Sequence, residues 1–93
     1  MVEAIARVIE AHQALVNITH KRKNGEMQDP VSYDATDGDI RGWVAESIRH
    51  GSIRGIDADP NVDLRDYVIE RYPIEAGVRE HNLIMVRPKT EFG

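Results

Sequence analysis

The sequence predicts an α+β domain in which one helix packs across a mixed β-sheet. Residues 36–51 carry the signals of an amphipathic helix, and residues 14–25 have the alternation and turn residues of a strand entering a hairpin. Residues 83–86 are apolar on both faces, as expected for a strand inside a sheet that a helix covers on one side. A parallel partner for this last strand requires a crossover connection, which the helix can provide.

Local signals define both ends of the helix. Thr36 can act as N-cap by accepting a hydrogen bond from the backbone N–H of Asp39, which occupies the reciprocal capping-box position. Gly51 can adopt the left-handed conformation that ends many helices. Trp43 lies beside the apolar stripe and is interpreted as a core anchor rather than a binding platform. The stripe itself repeats at every fourth residue: Ile40, Val44 and Ile48.

Two strands are predicted before the helix. Residues 14–20 alternate between two faces and are rich in β-branched side chains. A hairpin turn is expected at residues 21–25, because Asn24 and Gly25 readily adopt positive φ angles. The return strand is predicted from about residue 26 to residue 35, where Pro30 indicates an edge strand, a bulge or a break.

Three extended segments are predicted after the helix. Residues 52–56 form a short extended piece, residues 67–72 a strand, and residues 83–86 the central strand, which Pro88 ends. Residues 57–63 form a polar loop with alternating aspartates. The loop lacks the sixth-position glycine and the closing glutamate of a calcium-binding EF-hand, so a plain surface loop is the favoured interpretation.

The 93 residues are predicted to form a single domain, near the small end of what packs a core without disulfides or metals. Residues 1–13 are an N-terminal extension. The apolar spacing of residues 2–13 favours a helix there, while an extended conformation stays open. Residues 88–93 are a polar C-terminal tail that we expect to be flexible.

Composition argues against several classes of function. The chain has no cysteine, which excludes a disulfide framework or a cysteine nucleophile and fits a cytoplasmic protein. The formal charge of −4 argues against nucleic acid as a partner. No apolar run reaches the roughly 20 residues that cross a bilayer, so no membrane association is expected. The basic run at residues 21–23 is interpreted as a solvated turn, with an acidic partner or a phosphate as the lesser alternative.

The sequence shows no recognisable catalytic or metal-binding arrangement. It contains no nucleophile elbow, no Walker loop and no dinucleotide fingerprint. The four histidines lack the spacing and companions of metal ligands: His12, His20, His50 and His81. We therefore predict a non-catalytic protein without cofactor or metal. The alternative from another class is a small enzyme or ligand-binding subunit that uses loop carboxylates.

The order of these landmarks resembles the ubiquitin-like β-grasp superfold. A hairpin with a glycine-containing turn at residues 24–25 precedes a helix with an aspartate-rich cap at residues 36–39. A short apolar piece at residues 53–56 follows the helix, and a last strand at residues 82–87 leads into a tail that ends in glycine. The resemblance covers about residues 14–93 and implies a mixed sheet with one main helix, to which the N-terminal extension is added.

The resemblance to ubiquitin-like proteins implies a protein partner. In modifiers of this kind an activating enzyme adenylates the carboxylate of a C-terminal glycine, which a narrow enzyme channel can admit because it has no side chain. Gly93 has the corresponding place in this sequence, Phe92 precedes it, and Arg87 could steer the tail toward an acidic enzyme.

A second mode of binding is also implied. Small β-grasp domains often bind partners through the sheet face away from the helix, and Leu15, Tyr67 and Tyr72 are the candidates for that face. A domain that binds in this way, or through an exposed strand edge, would act as an adaptor or assembly subunit of a bacterial or phage multiprotein system.

Overall fold

A computed structural model describes residues 9–89 of the chain. These residues form one α-helix and five strands that share a single mixed sheet. The elements in chain order are β1 (Gln13–His20), β2 (Lys23–Glu26), β3 (Val31–Ser32), α1 (Asp37–His50), β4 (Tyr67–Tyr72) and β5 (Asn82–Pro88). The predicted α+β arrangement with one main helix is confirmed.

The two strands at the centre of the sheet come from opposite ends of the chain. The strand order is β2-β1-β5-β4, and β3 pairs antiparallel with the start of β1. β1 runs parallel to β5, whereas β1 with β2 and β4 with β5 are antiparallel pairs. Since β5 has a neighbour on each side, the prediction of an interior strand at residues 83–86 is confirmed.

The core lies between α1 and one face of the sheet. Alternate residues of β1 and β5 point toward the helix because successive side chains of a strand face opposite sides. Residues 53, 56 and 64, from the connection between α1 and β4, complete this core. Each fully buried valine or isoleucine side chain contributes about 1.5–3 kcal/mol to folding. The side chains with no exposed surface are Ala14, Val16, Ile18, Ile40, Val44, Ile48, Ile84 and Val86.

Both predicted ends of the helix are confirmed. Thr36 Oγ1 accepts a hydrogen bond from the Asp39 N–H at 3.0 Å, and Gly51 has the left-handed φ of 70°. In addition to these caps, an arginine side chain fixes the helix to the sheet. Arg71, on β4, donates to the Asp37 carboxylate at 2.6 Å and to the Tyr33 carbonyl at 2.8 Å. The first turn of α1 is therefore held against β4 by a charged pair as well as by the apolar stripe.

The prediction that Trp43 anchors the core is wrong. Its side chain is 43% exposed. Because successive residues of an α-helix are rotated by about 100°, Trp43 lies well to the side of its buried neighbour Val44. The aliphatic stripe alone fills the contact with the sheet, so the indole lies on the outer surface of the helix.

The hairpin turn lies within the predicted residues 21–25 but occupies only the first two of them. Lys21 and Arg22 have the positive φ angles, 51° and 67°, and they form the two-residue turn. Asn24 and Gly25 belong to β2, where they pair with residues of β1. Gly25 is required for space rather than for its φ, because a Cβ atom there would lie 2.6 Å from the Arg54 carbonyl oxygen.

Two other predicted segments differ in the structure. The return strand predicted at residues 26–35 is interrupted, since residues 27–30 separate β2 from β3. Of the three alternatives that Pro30 indicated, an edge strand, a bulge or a break, the structure has the break. Residues 52–56 form turns instead of an extended piece. Gly55 has a φ of 94°, and the bends around it turn Ile53 and Ile56 into the core, a geometry that a straight strand cannot give.

The two ends of the chain are only partly covered by the described residues. Residues 9–12 are not helical and lead directly into β1, so the predicted helix does not extend over them. The rest of that prediction, residues 2–8, lies outside the described residues. The last four residues, which include Phe92 and Gly93, also lie outside them. Within residues 9–89, no helix is both long enough and apolar enough to span a bilayer.

The contact behind Gly25 predicts a sharp difference between two glycine substitutions. Gly25→Ala should lower the free energy of unfolding by about 1–3 kcal/mol, because the new methyl group overlaps the Arg54 carbonyl and the Ile53 side chain. Gly42→Ala, in the middle of α1 with open space around it, should raise that free energy by about 0.5–1 kcal/mol. Urea unfolding of both variants measures these changes, and equal effects would contradict the close packing at Gly25.

Candidate functional site

The face of the sheet that α1 leaves uncovered carries a row of apolar side chains in register. Leu15 of β1 pairs with Leu83 of β5, and Leu83 pairs in turn with Tyr72 of β4. All three side chains are half-buried, and they alternate with residues that point into the core. We call this surface the open face. Its central members are Leu15, Asn17, Val68, Glu70, Tyr72, Leu83, Met85 and Arg87.

A charged pair holds the tyrosine of this row. The Arg87 guanidinium donates to the Glu70 carboxylate at 2.7 Å, and the Tyr72 hydroxyl donates to the other carboxylate oxygen at 2.9 Å. The hydrogen bond from Arg87 lowers the pKa of Glu70, while the bond to Glu70 raises the pKa of the Tyr72 phenol. The Arg79 guanidinium lies 5.4 Å from the Tyr72 ring centroid. Tyr72 is thus held in one orientation before any partner binds.

Where the open face reaches the hairpin of β1 and β2, its side chains are polar and are joined by hydrogen bonds. Asn17 and Asn24 exchange two amide hydrogen bonds, of 3.0 and 2.8 Å, across the hairpin. Asn24 also donates to the Thr19 hydroxyl at 3.0 Å. These side chains flank the apolar row with hydrogen-bonding groups, an arrangement that resembles the polar rim of a protein interface.

The predicted site residues fall into three groups. Leu15 and Tyr72 lie on the open face and are brought together by Leu83, which the sequence reasoning did not select. Arg87 lies on the same face, where its guanidinium donates to the Glu70 carboxylate, and its role in steering the tail toward an acidic enzyme stays a prediction. Phe92 and Gly93 lie outside the described residues.

Tyr67 was predicted for the same face, and this prediction is wrong. It begins β4 in the opposite phase from Tyr72, so it points toward the helix side, where its hydroxyl lies 2.5 Å from His20 Nδ1. His20 is 6% exposed, and its Nε2 lies 2.9 Å from the Asp59 carboxylate. Burial raises the pKa of the Tyr67 phenol.

The tyrosine, histidine and aspartate form a chain of hydrogen bonds that the sequence reasoning missed. With the imidazole proton on Nε2, His20 donates to Asp59 and accepts from the Tyr67 hydroxyl. The hydrogen bond from His20, followed by the one from Lys21, lowers the pKa of Asp59 to about 2. Each of the three side chains in this network has a hydrogen-bond partner. Such pairing is typical of a structural network, and this one attaches the loop at residues 57–63 to the end of β1.

The basic turn is neutralised by the same loop. Lys21 lies 3.1 Å from the Asp59 carboxylate, and Lys23 lies 3.0 Å from the Asp57 carboxylate. Two cations of the run at residues 21–23 therefore already have anionic neighbours within the chain. This pairing weakens the alternative in which the turn binds a phosphate or an acidic partner.

A wide groove lies beside the end of β2. It measures about 490 Å³ and is lined by Glu26, Met27, Gln28 and Arg54. The groove opens broadly to solvent and does not enclose a cavity. Among residues 9–89 no three histidine, aspartate or glutamate side chains are grouped so that they could hold a metal ion.

Comparison with known proteins provides no relative. No protein-family model, no curated protein and no solved structure matches this chain.

The pKa of Asp59 predicts part of the acid sensitivity of the fold. The pKa of Asp59 is lowered to about 2 in the folded state from 3.8 in the unfolded chain, so this carboxylate stabilises the fold above about pH 4. This stabilisation is lost as the pH falls from about 4 to about 2. Asp59→Asn should abolish it, so the difference in unfolding free energy between wild type and variant should shrink over that range. Urea unfolding at a series of pH values measures this difference. The control is Asp34→Asn, which removes an exposed carboxyl, and its difference in unfolding free energy from wild type should change less over the same pH range.

Proposed function

We propose that this domain is a non-catalytic protein-binding module whose partner docks on the open face. The observation that carries the proposal is the row of Leu15, Leu83 and Tyr72, aligned across three strands on the face opposite α1. These aliphatic and aromatic side chains are half-buried, and they lose their remaining exposed area only when another surface packs on them. A tyrosine fixed at one end provides a rigid contact that loses little conformational entropy on binding.

The surroundings of the row support a protein partner over a small ligand. Apolar side chains lie in the centre, while the Glu70–Arg87 pair and the paired asparagines lie at the sides. Protein interfaces have this composition, with an apolar centre and a rim of satisfied polar groups.

We also propose that the fold is a ubiquitin-like β-grasp. An antiparallel hairpin is followed by a helix, and the last strand returns parallel to the first in the order β2-β1-β5-β4. This order and these directions support the resemblance seen in the sequence. The interrupted return strand and the extension before β1 distinguish the chain from a minimal domain of that kind.

Two forms of the proposal remain distinct. As an adaptor or assembly subunit, the domain depends on its open face alone. As a protein modifier, it depends in addition on the carboxylate of Gly93, which an activating enzyme would adenylate.

A charge placed in the row separates binding through the open face from other modes. Tyr72→Glu should weaken binding to the native partner more than about tenfold, because it removes a rigid aromatic contact and places a second carboxylate beside Glu70. Trp43→Glu is the matched control, since it changes an exposed aromatic residue on the helix side of the sheet. Quantitative co-purification from the native cells, followed by titration of the purified pair, measures the effect.

The outcomes separate the proposals clearly. Loss of the partner with Trp43→Glu but not with Tyr72→Glu would contradict docking on the open face. Adding one residue after Gly93 should leave an adaptor unaffected and abolish covalent attachment by a modifier. Circular dichroism of each variant verifies that the fold is retained.

A further inference from the structure

Three residues at the outer edge of β4 have backbone groups that point away from β5, namely Tyr67, Ile69 and Arg71. The Tyr67 N–H donates to the Leu64 carbonyl, and the Tyr67 carbonyl accepts from Arg41 at 2.9 Å, so neither bonds to β5. Hydrogen bonding to a neighbouring strand alternates along an antiparallel pair. The backbone groups of Ile69 and Arg71 must therefore share the outward direction of Tyr67, while those of residues 68, 70 and 72 bond to β5.

These outward groups are available for pairing. Among residues 9–89, no hydrogen bond outside the strand ladders involves the backbone N–H or C=O of Ile69 or Arg71. The opposite edge of the sheet differs. There β2 is short, and its Gly25 is packed against the turn at residues 53–56. The sheet thus has one edge at which a further strand can add.

We propose that a second copy of this chain pairs with this edge, β4 against β4, to form a symmetric dimer. In a two-fold antiparallel pair each residue i faces a residue j for which the sum i + j is constant. Ile69 and Arg71 are the β4 residues whose outward groups have no partner within residues 9–89, and pairing all of these groups requires that Ile69 of each copy faces Arg71 of the other. All the free backbone groups of both edges are then paired, and Glu70 lies on the two-fold axis.

The side chains are compatible with this register, apart from one repulsive contact between like charges. On the open face, Val68 of one copy lies opposite Tyr72 of the other, an apolar–aromatic pair that favours strand association. The two copies of Glu70 face each other at the axis, and the repulsion between their like charges opposes the pairing. Their charges are partly compensated, because each carboxylate accepts hydrogen bonds from Arg87 and Tyr72 of its own chain. The pairing is therefore expected to be weak and dependent on concentration.

This inference does not depend on the proposed partner of the open face, and a different measurement tests it. Sedimentation equilibrium of the full chain should show a monomer–dimer equilibrium. Glu70→Gln should lower the dissociation constant by up to about fivefold, because it removes the like charges at the axis. Val68→Lys, which places a charge against Tyr72 of the second copy, should raise it about tenfold or more. Glu80→Gln, an exposed glutamate outside the strands, is the matched control and should not change it.

Amide hydrogen exchange tests the register independently of these substitutions. The amides of Ile69 and Arg71 should become protected as the concentration rises, whereas those of Val68, Glu70 and Tyr72 are protected by β5 at every concentration. A monomer at all accessible concentrations would overturn the proposal. So would a dimer in which the Ile69 and Arg71 amides exchange as fast as in the monomer, or protection that appears only when an unrelated extended peptide is added.

Discussion

The parallel pairing of β1 with β5 is the interaction on which the rest of the structure depends. It joins residues from the two ends of the described chain, so that Val16 lies beside Ile84 and Ile18 beside Val86. All four side chains have no exposed surface and face the stripe of α1. Neither strand alone could bury this surface. Once the two strands are paired, β2 and β4 have edges on which to add, and α1 has a flat apolar surface to cover.

The same pairing determines the composition of the open face. Because side chains alternate along a strand, the register that places Val16 and Ile84 in the core also places Leu15 beside Leu83 on the other face. A shift of one residue would bury Leu15 and expose Val16. The apolar row is therefore a consequence of the register of the core, and a substitution that disturbs the core will also disturb the surface proposed for binding.

The sequence predicts those features whose signals lie within a few residues of each other. The cap at Thr36, the stripe of α1 and the left-handed Gly51 are local, and the helix is predicted to within one residue at each end. Gly25 shows the limit of such reasoning, since it was assigned to a turn although a tertiary contact with Arg54 requires it. His20 shows a second limit, because the carboxylate it contacts is 39 residues away. Its place in the buried phase of β1 was the only signal in the sequence.

The open face and the free edge meet at β4, and this has a physical consequence for both proposals. Glu70 and Tyr72 belong to the open face, yet they also lie on the edge strand. In the paired register, Val68 of a second copy would extend the row of Leu15, Leu83 and Tyr72 by one apolar side chain. A dimer would thus present two such rows on one continuous sheet. A partner that contacts Val68 or Tyr72 near this junction would bind more tightly to the dimer than to the monomer, and by linkage it would favour dimerisation to the same extent.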